Sequence, residues 1–243
     1  MPEQSLKEKV ALVTGASSGL GRAFSVALAK AGVKVFLVAR REEKLREAVA
    51  EIAREGGEAA YHVADVRVVP ALFDLVDVLL ARYKKLDILI NNAGLGYRAP
   101  LSDTKRGEIA EMIETDLAAP IYLTQAALPA LIRSAPSDIV NVASIAGLEP
   151  FAEGTVYCAV KAGLVAFSRA LALEVKPEGV RVSTLCVGST DTEFFDRFQP
   201  GTERARMLKT GDVAKAVLSV LGSPPRVLHG EIVLRPRVVP GGN

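Results

Sequence analysis

Short apolar runs alternate along this chain with longer segments in which apolar positions recur at helical spacing. The runs "VALVT" (10–14), "KVFLVA" (34–39), "EAAYHVA" (58–64), "LDILIN" (86–91), "DIVNVAS" (138–144), "VRVSTLCV" (180–187) and "GEIVLR" (230–235) predict seven strands. Residues 20–31, 42–55, 70–84, 104–133, 155–175 and 212–222 predict the helices between them. Strands that are apolar almost throughout are buried on both faces, the signature of a parallel sheet covered by helices. With right-handed crossovers this becomes a doubly wound α/β sheet, a Rossmann-like fold. No repeat or low-complexity linker interrupts the alternation, so residues 1–243 are expected to form one domain. The stretch 191–210 has the composition of a mobile lid, and the Pro- and Gly-rich end from about 236 to 243 that of an extended arm.

Composition narrows the function classes. A chain of 243 residues, 49% hydrophobic and 24% charged, can build a full core. The net charge of +2 provides no basic field, so nucleic acid is not an expected partner. The opening "MPEQSLKEKV" lacks an apolar segment, and no uninterrupted apolar run is long enough for a bilayer, so neither a signal peptide nor a membrane is expected. Two cysteines, Cys158 and Cys186, make no disulfide framework, and the reducing cytoplasm is the default location. His62 and His229 show no metal-ligand spacing, so no metal is expected.

The candidate chemistry sits where strands end. The first strand runs into "TGASSGLG", which places Gly15, Gly19 and Gly21 between a strand and a helix, with Ser17 and Leu20 in the same turn. Glycine permits the tight turn and close backbone approach that a pyrophosphate needs, and the helix N-terminus offers free N–H groups. Ordinary strand–helix turns also use glycine; its place at the first strand of an α/β chain favours nucleotide binding. The second strand ends in Ala39, Arg40 and Arg41, where an acid would select NAD. A guanidinium suits a 2′-phosphate and so NADP. Arginines before a helix N-terminus oppose its dipole, which a bound anion would explain better than solvated surface charge. Arg40 is the main candidate, with Arg41 read as surface. Asp65, followed by Val66, either accepts the adenine amino group or caps the next helix. Asn92, Ala93 and Gly94 either line the cofactor or form a plain loop.

Tyr157 and Lys161 lie one helical turn apart and share a face. An ammonium near a phenol favours the phenolate, which makes a usable proton donor and acceptor. Alone, the pair also fits an ordinary surface Lys beside a half-buried Tyr. Ser144 closes the fifth strand thirteen positions before Tyr157. Taken together, "TGASSGLG", "NNAG", Ser144 and Tyr157-x-x-x-Lys161 resemble the classical short-chain dehydrogenase/reductase family over nearly the whole chain.

That resemblance implies the strand order 3-2-1-4-5-6-7, a nicotinamide cofactor and, from "EIVLRP", the NADP-preferring type. It implies Tyr157 as acid or base, Ser144 as hydrogen-bond donor to the carbonyl oxygen, and Lys161 as the group that lowers the Tyr157 pKa and binds the nicotinamide ribose. Gly188, Thr190 and Thr192 fall on the nicotinamide side of the pocket. Helices 104–133 and 155–175 are apolar around much of their circumference and would pair across subunits in a homotetramer or homodimer. Two positions depart from the pattern: Asp116 stands where the family usually has Asn, and Val187–Gly188 where it often has Pro-Gly. The Asn position works through its main-chain carbonyl, which Pro120 leaves free here, so Asp116 is expected to be tolerated.

Substrate contacts are expected from 95–100, 148–154 and 191–207, with Phe194, Phe195, Phe198 and Met207 for apolar contact and Arg197, Arg204 and Arg206 for a carboxylate or phosphate. These leave open a 3-oxoacyl, a hydroxy-acid or a general carbonyl substrate. The rival reading is a cofactor-binding regulatory protein with lost or weak catalysis, for which Asp116 is the best support.

Overall fold

The computed structural model describes residues 5–199, 201 and 203–237. Seven strands lie in one sheet: β1 (Val10–Thr14), β2 (Lys34–Ala39), β3 (Ala59–Val63), β4 (Ile88–Asn91), β5 (Ser137–Ser144), β6 (Val180–Val187) and β7 (Glu231–Leu234). Their order is β3-β2-β1-β4-β5-β6-β7, and every neighbouring pair is parallel. β1, β4, β5 and β6 are buried along their whole length. The edge strands β3 and β7 are only half-buried.

Strand periodicity splits the core in two. Ala11, Val13, Val35 and Leu37 face a cluster with Phe24 and Leu28 of α1 (Gly19–Lys30), Leu45 and Ile52 of α2 (Glu42–Arg54) and Val213 of α8 (Thr210–Leu221). Val10, Leu12, Phe36 and Val38 face the other way, onto Leu72, Leu75 and Leu79 of α3 (Val69–Tyr83), Leu123 of α5 (Ala119–Arg133) and Leu171 of α6 (Thr155–Val175). Each fully buried leucine contributes roughly 1.5–3 kcal/mol by leaving water.

The expected strands and most helices match to within a residue or two. β4 begins at Ile88 instead of residue 86, because the Asp87 carboxylate takes the Val10 N–H at 2.8 Å in place of a strand carbonyl. The helix expected over 104–133 is broken. It starts as α4 (Arg106–Ile113), widens into a π-helical turn (Glu114–Ala118) and resumes as α5. Pro120 has no N–H to close the ordinary bond to residue 116, and the Ala119 N–H reaches back to Glu114.

Thr155–Glu178 is long and apolar enough to cross a membrane by length and composition, although Lys161, Arg169 and Glu174 interrupt its apolar run. In the fold it packs against β5 and β6, which accounts for its apolar side. Within the expected lid are the short helix α7 (Phe194–Phe198) and a 3-10 turn (Arg204–Arg206), with a Thr190–Leu208 bridge at the base. Residues 238–243 of the expected arm lie outside the described residues.

Candidate active site

The chain runs outward from β1 through β2 to β3, then returns to β4 on the other side of β1. Beyond the carboxyl ends of these strands lies a cleft of about 970 Å³. This is the topological switch point where α/β sheets bind ligands.

Its floor is the turn between β1 and α1. Gly15 has φ +65°, a left-handed conformation that glycine adopts without penalty. A Cβ on Gly21 would stand 2.4 Å from the Gly15 carbonyl and 2.5 Å from Asn92 Nδ2. The loop after β4 is locked onto this turn. Thr14 Oγ1 accepts the N–H groups of Asn92 and Ala93, each at 3.0 Å, and Asn92 Nδ2 donates to the Thr14 carbonyl at 2.8 Å. Gly15, Ser17, Gly19, Leu20, Asn92, Ala93 and Gly94 therefore share one wall. Gly188, Thr190 and Thr192 face them, and Thr192 Cγ2 would lie 3.3 Å from a Cβ on Gly19.

At the far end both arginines after β2 line the cleft, but they differ from expectation. Arg40 is 62% exposed and reaches only Asp65, at 3.8 Å. Arg41 is exposed as expected, but it also folds over the glycine turn. Its guanidinium donates to Ser18 Oγ at 2.6 Å and Ser17 Oγ at 3.2 Å, and pairs with Glu193 at 3.1 Å. Asp65 and Val66 line the same end. Asp65 does not cap α3, whose N-cap is Val68 without a side-chain bond. Its carboxylate is held by Arg67 at 2.7 Å, which with the Arg67 N–H keeps it below the usual carboxylate range. Arg67 also binds Glu111 at 2.8 Å, and Glu111 accepts from the Tyr97 hydroxyl at 2.6 Å.

At the other end Ser144, Tyr157, Lys161 and Asp116 come together. Ser144 ends β5, and its Oγ accepts the Ala146 N–H at 3.1 Å. Tyr157 and Lys161 project from α6 and are both buried. A buried chain holds α6 on the sheet: Asn91 Nδ2 donates to Asn141 Oδ1, and Asn141 Nδ2 to Ser168 Oγ, each at 2.8 Å.

Asp116 acts through its side chain, not only through the carbonyl assigned to it from sequence. Oδ1 accepts the Leu95 N–H at 2.8 Å, and Oδ2 lies 2.9 Å from Lys161 Nζ. The second contact is an ion pair without an aligned hydrogen bond, since Oδ2 has no geometrically sound donor. Lys161 Nζ donates to the Val142 carbonyl at 3.2 Å. Burial works against both charges, pushing the Asp116 carboxyl up and the Lys161 ammonium down. The close opposite charge outweighs this at Lys161, whose pKa ends above its ordinary value. The contact at 2.9 Å and the Leu95 N–H favour the ionised pair.

The Tyr157 phenol is also corrected: it stands above its usual value. Burial raises it most; Lys161 pulls it down, Asp116 pushes it up, and a hydrogen bond with Ser144 lowers it. The expected depression by Lys161 is present but does not win in this arrangement.

Aromatic side chains roof this end. The Phe198 ring is 4.9 Å from that of Tyr157 and the Phe194 ring 5.9 Å. Arg67, Glu111, Asn141 and Ser168 were missed in the sequence, because nothing local marks residues that meet only across the fold.

The pattern of a short chain dehydrogenase matches residues 9–203. An uncharacterised oxidoreductase of Staphylococcus aureus (strain USA300) is 33% identical over 231 residues, covering 95% of this chain and 98% of that protein. An alcohol dehydrogenase from the archaeon Thermococcus sibiricus, complexed with 5-hydroxy-NADP, superposes with a TM-score of 0.89 at 31% identity, covering 95% of this chain and 97% of that one. A metagenomic short-chain oxidoreductase in complex with NADP gives 0.86 at 34% identity, covering 97% and 100%. With the glycine turn, the sheet order and the Ser144, Tyr157 and Lys161 constellation in place, this chain belongs to the short-chain dehydrogenase family.

Proposed function

We propose that the protein is an NADP(H)-dependent oxidoreductase that interconverts a carbonyl compound and a secondary alcohol. The observation that carries this reading is the meeting of Ser144, Tyr157 and Lys161 at one end of a cleft whose other end holds Arg40 and Arg41. The cleft suits a dinucleotide on two further grounds. Gly15 and Gly19 line its wall in left-handed conformations, leaving bare backbone for a pyrophosphate to approach. Thr115 Oγ1 and Asp116 Oδ2 are buried without hydrogen-bond partners beside Lys161, where a ribose hydroxyl would satisfy them.

NADP(H) supplies the hydride. In reduction Tyr157 gives its proton to the oxygen of the substrate carbonyl, and in oxidation the tyrosinate takes it from the alcohol. Ser144 Oγ donates to that oxygen and stabilises the charge developing on it. Lys161 offsets the charge left on the Tyr157 oxygen. Arg41, with Ser17 and Ser18, and Arg40 from the other side, would hold the 2′-phosphate. A panel of ketones and secondary alcohols, assayed in both directions with NADP and NAD, tests the reading. Turnover is expected with NADP(H), and inertness of the whole panel would sink it.

One observation favours the rival, a cofactor-binding regulatory protein with weak or lost catalysis: the Asp116 carboxylate occupies Lys161 at 2.9 Å. Tight NADP(H) binding with no turnover, restored by Asp116→Asn, would decide for it.

We further propose a homotetramer or homodimer. Ile113, Ile121, Tyr122 and Leu173 are exposed on the helices α4, α5 and α6, and covering them between subunits removes apolar surface from water.

A further inference from the structure

The roof over Tyr157 is aromatic, and most of the cations near it are paired with carboxylates. Phe198 is the hub: its ring stands 4.9 Å from Phe194, 6.0 Å from Phe195 and 6.1 Å from Phe151, besides its contact with Tyr157. Only 7% of Phe198 is exposed, so it lies against the tyrosine ring where a substrate must come in. Gly96 permits this closure, since a Cβ there would stand 2.8 Å from Phe198 and 2.9 Å from Phe194.

Two of the three arginines that sequence offered to an anionic substrate are paired within the chain. Arg204 pairs with Asp191 and Asp196, and Arg206 with Glu203. At the mouth, Arg98 pairs with Glu153 while lying over the Phe151 ring, and Arg235 holds Glu149. Arg197 lies over the Tyr97 ring at 5.9 Å. A carboxylate drawn under this roof would lose water, and Arg197, the cleft arginine left without a carboxylate among the described residues, is itself exposed to solvent. A neutral ring can exchange contacts with Phe198 face for edge.

Resting on the oxidoreductase reading above, we propose that the substrate is a neutral carbonyl compound with an aromatic or comparably broad apolar ring beside the reacting carbon. The aromatic roof takes that ring, and Gly96 sets how far the roof closes. The reaction is the balanced one already given: hydride from NADPH to the carbonyl carbon, proton from Tyr157 to its oxygen, alcohol and NADP released.

The test compares methyl benzoylformate, the benzoylformate anion and methyl pyruvate with NADPH. It also measures inhibition constants of methyl mandelate and the mandelate anion, which report binding without chemistry. Methyl benzoylformate should exceed methyl pyruvate in kcat/KM by on the order of tenfold, and methyl mandelate should inhibit more tightly than mandelate. Phe198→Ala should shrink the ring preference several-fold. Gly96→Ala, which pushes the same two rings from the opposite side, should also shrink it, and serves if the first variant does not fold. Tighter binding of mandelate, or a ring preference that is absent or survives both variants, overturns this proposal and leaves the oxidoreductase reading standing. Bound NADPH with no reduction of any of the three overturns both.

Discussion

Asp116 is the residue at which this chain differs most in chemistry from its pattern, and its carboxylate touches Lys161 directly. The titratable groups facing Tyr157 and Lys161 are Asp116 from the π-helical turn and the thiols of Cys158 and Cys186, the latter pushed up to about 11 by burial. The Cys186 thiol is therefore uncharged at neutral pH, and Asp116 is the charge that opposes tyrosinate formation. Alcohol oxidation needs the tyrosinate and should rise with pH through the elevated Tyr157 pKa. Asp116→Asn removes a charge that raises this pKa, so the oxidation profile should shift to lower pH, read from kcat against pH. An unchanged profile would mean that the carboxylate is silent. At the other end, Arg40→Ala and Arg41→Ala should each weaken NADPH by roughly tenfold, a charge-assisted hydrogen bond at a partly exposed site. NADH should be nearly unaffected, and a fluorescence titration of both cofactors reads the difference. A loss confined to Arg40→Ala would return Arg41 to the surface role that sequence assigned it.

Elements explain what was legible before the structure. β1, β5 and β6 are buried on both faces and mix β-branched and other apolar residues at high density, so their runs stand out, and Tyr157 and Lys161 share a helix, so spacing alone unites them. The break between α4 and α5 was half legible. Pro120 marks the missing N–H, but the turn's widening, which places Asp116 against Lys161, depends on α6 packing beside it. The contacts of Arg41 were not legible because its partners, Ser17, Ser18 and Glu193, come from the glycine turn and from a loop far along the chain. The same limit hid Arg67, whose two carboxylates lie on different elements. The glycine turn itself makes a strict prediction. Gly21→Ala would place a Cβ 2.4 Å from the Gly15 carbonyl, and such overpacking costs about 1–3 kcal/mol. The variant should lose NADPH affinity by more than roughly tenfold and melt at a lower temperature. Parent-like values in a titration and a thermal scan would show that the turn has slack.

At the scale of the whole molecule the sheet leaves α5 and α6 with one side to cover. Leu173 is 78% exposed on α6, and Ile121 and Tyr122 are open on α5. Light scattering at micromolar protein should therefore give the mass of a dimer or tetramer. Leu173→Glu, which puts a charge on that face, should lower it, and a monomeric parent would contradict the assignment. The central claim, that the buried Tyr157 hydroxyl carries the proton in the cleft that binds NADP(H), is put to the test by one measurement. That measurement pairs NADPH binding with NADPH consumption on a neutral aryl ketone, for the parent and Tyr157→Phe side by side. The phenylalanine ring keeps the packing against Phe194 and Phe198 and removes only the hydroxyl. The account predicts NADPH affinity within a few-fold of the parent and a turnover lower by roughly 10²–10⁴. Parent-like turnover in Tyr157→Phe would contradict it.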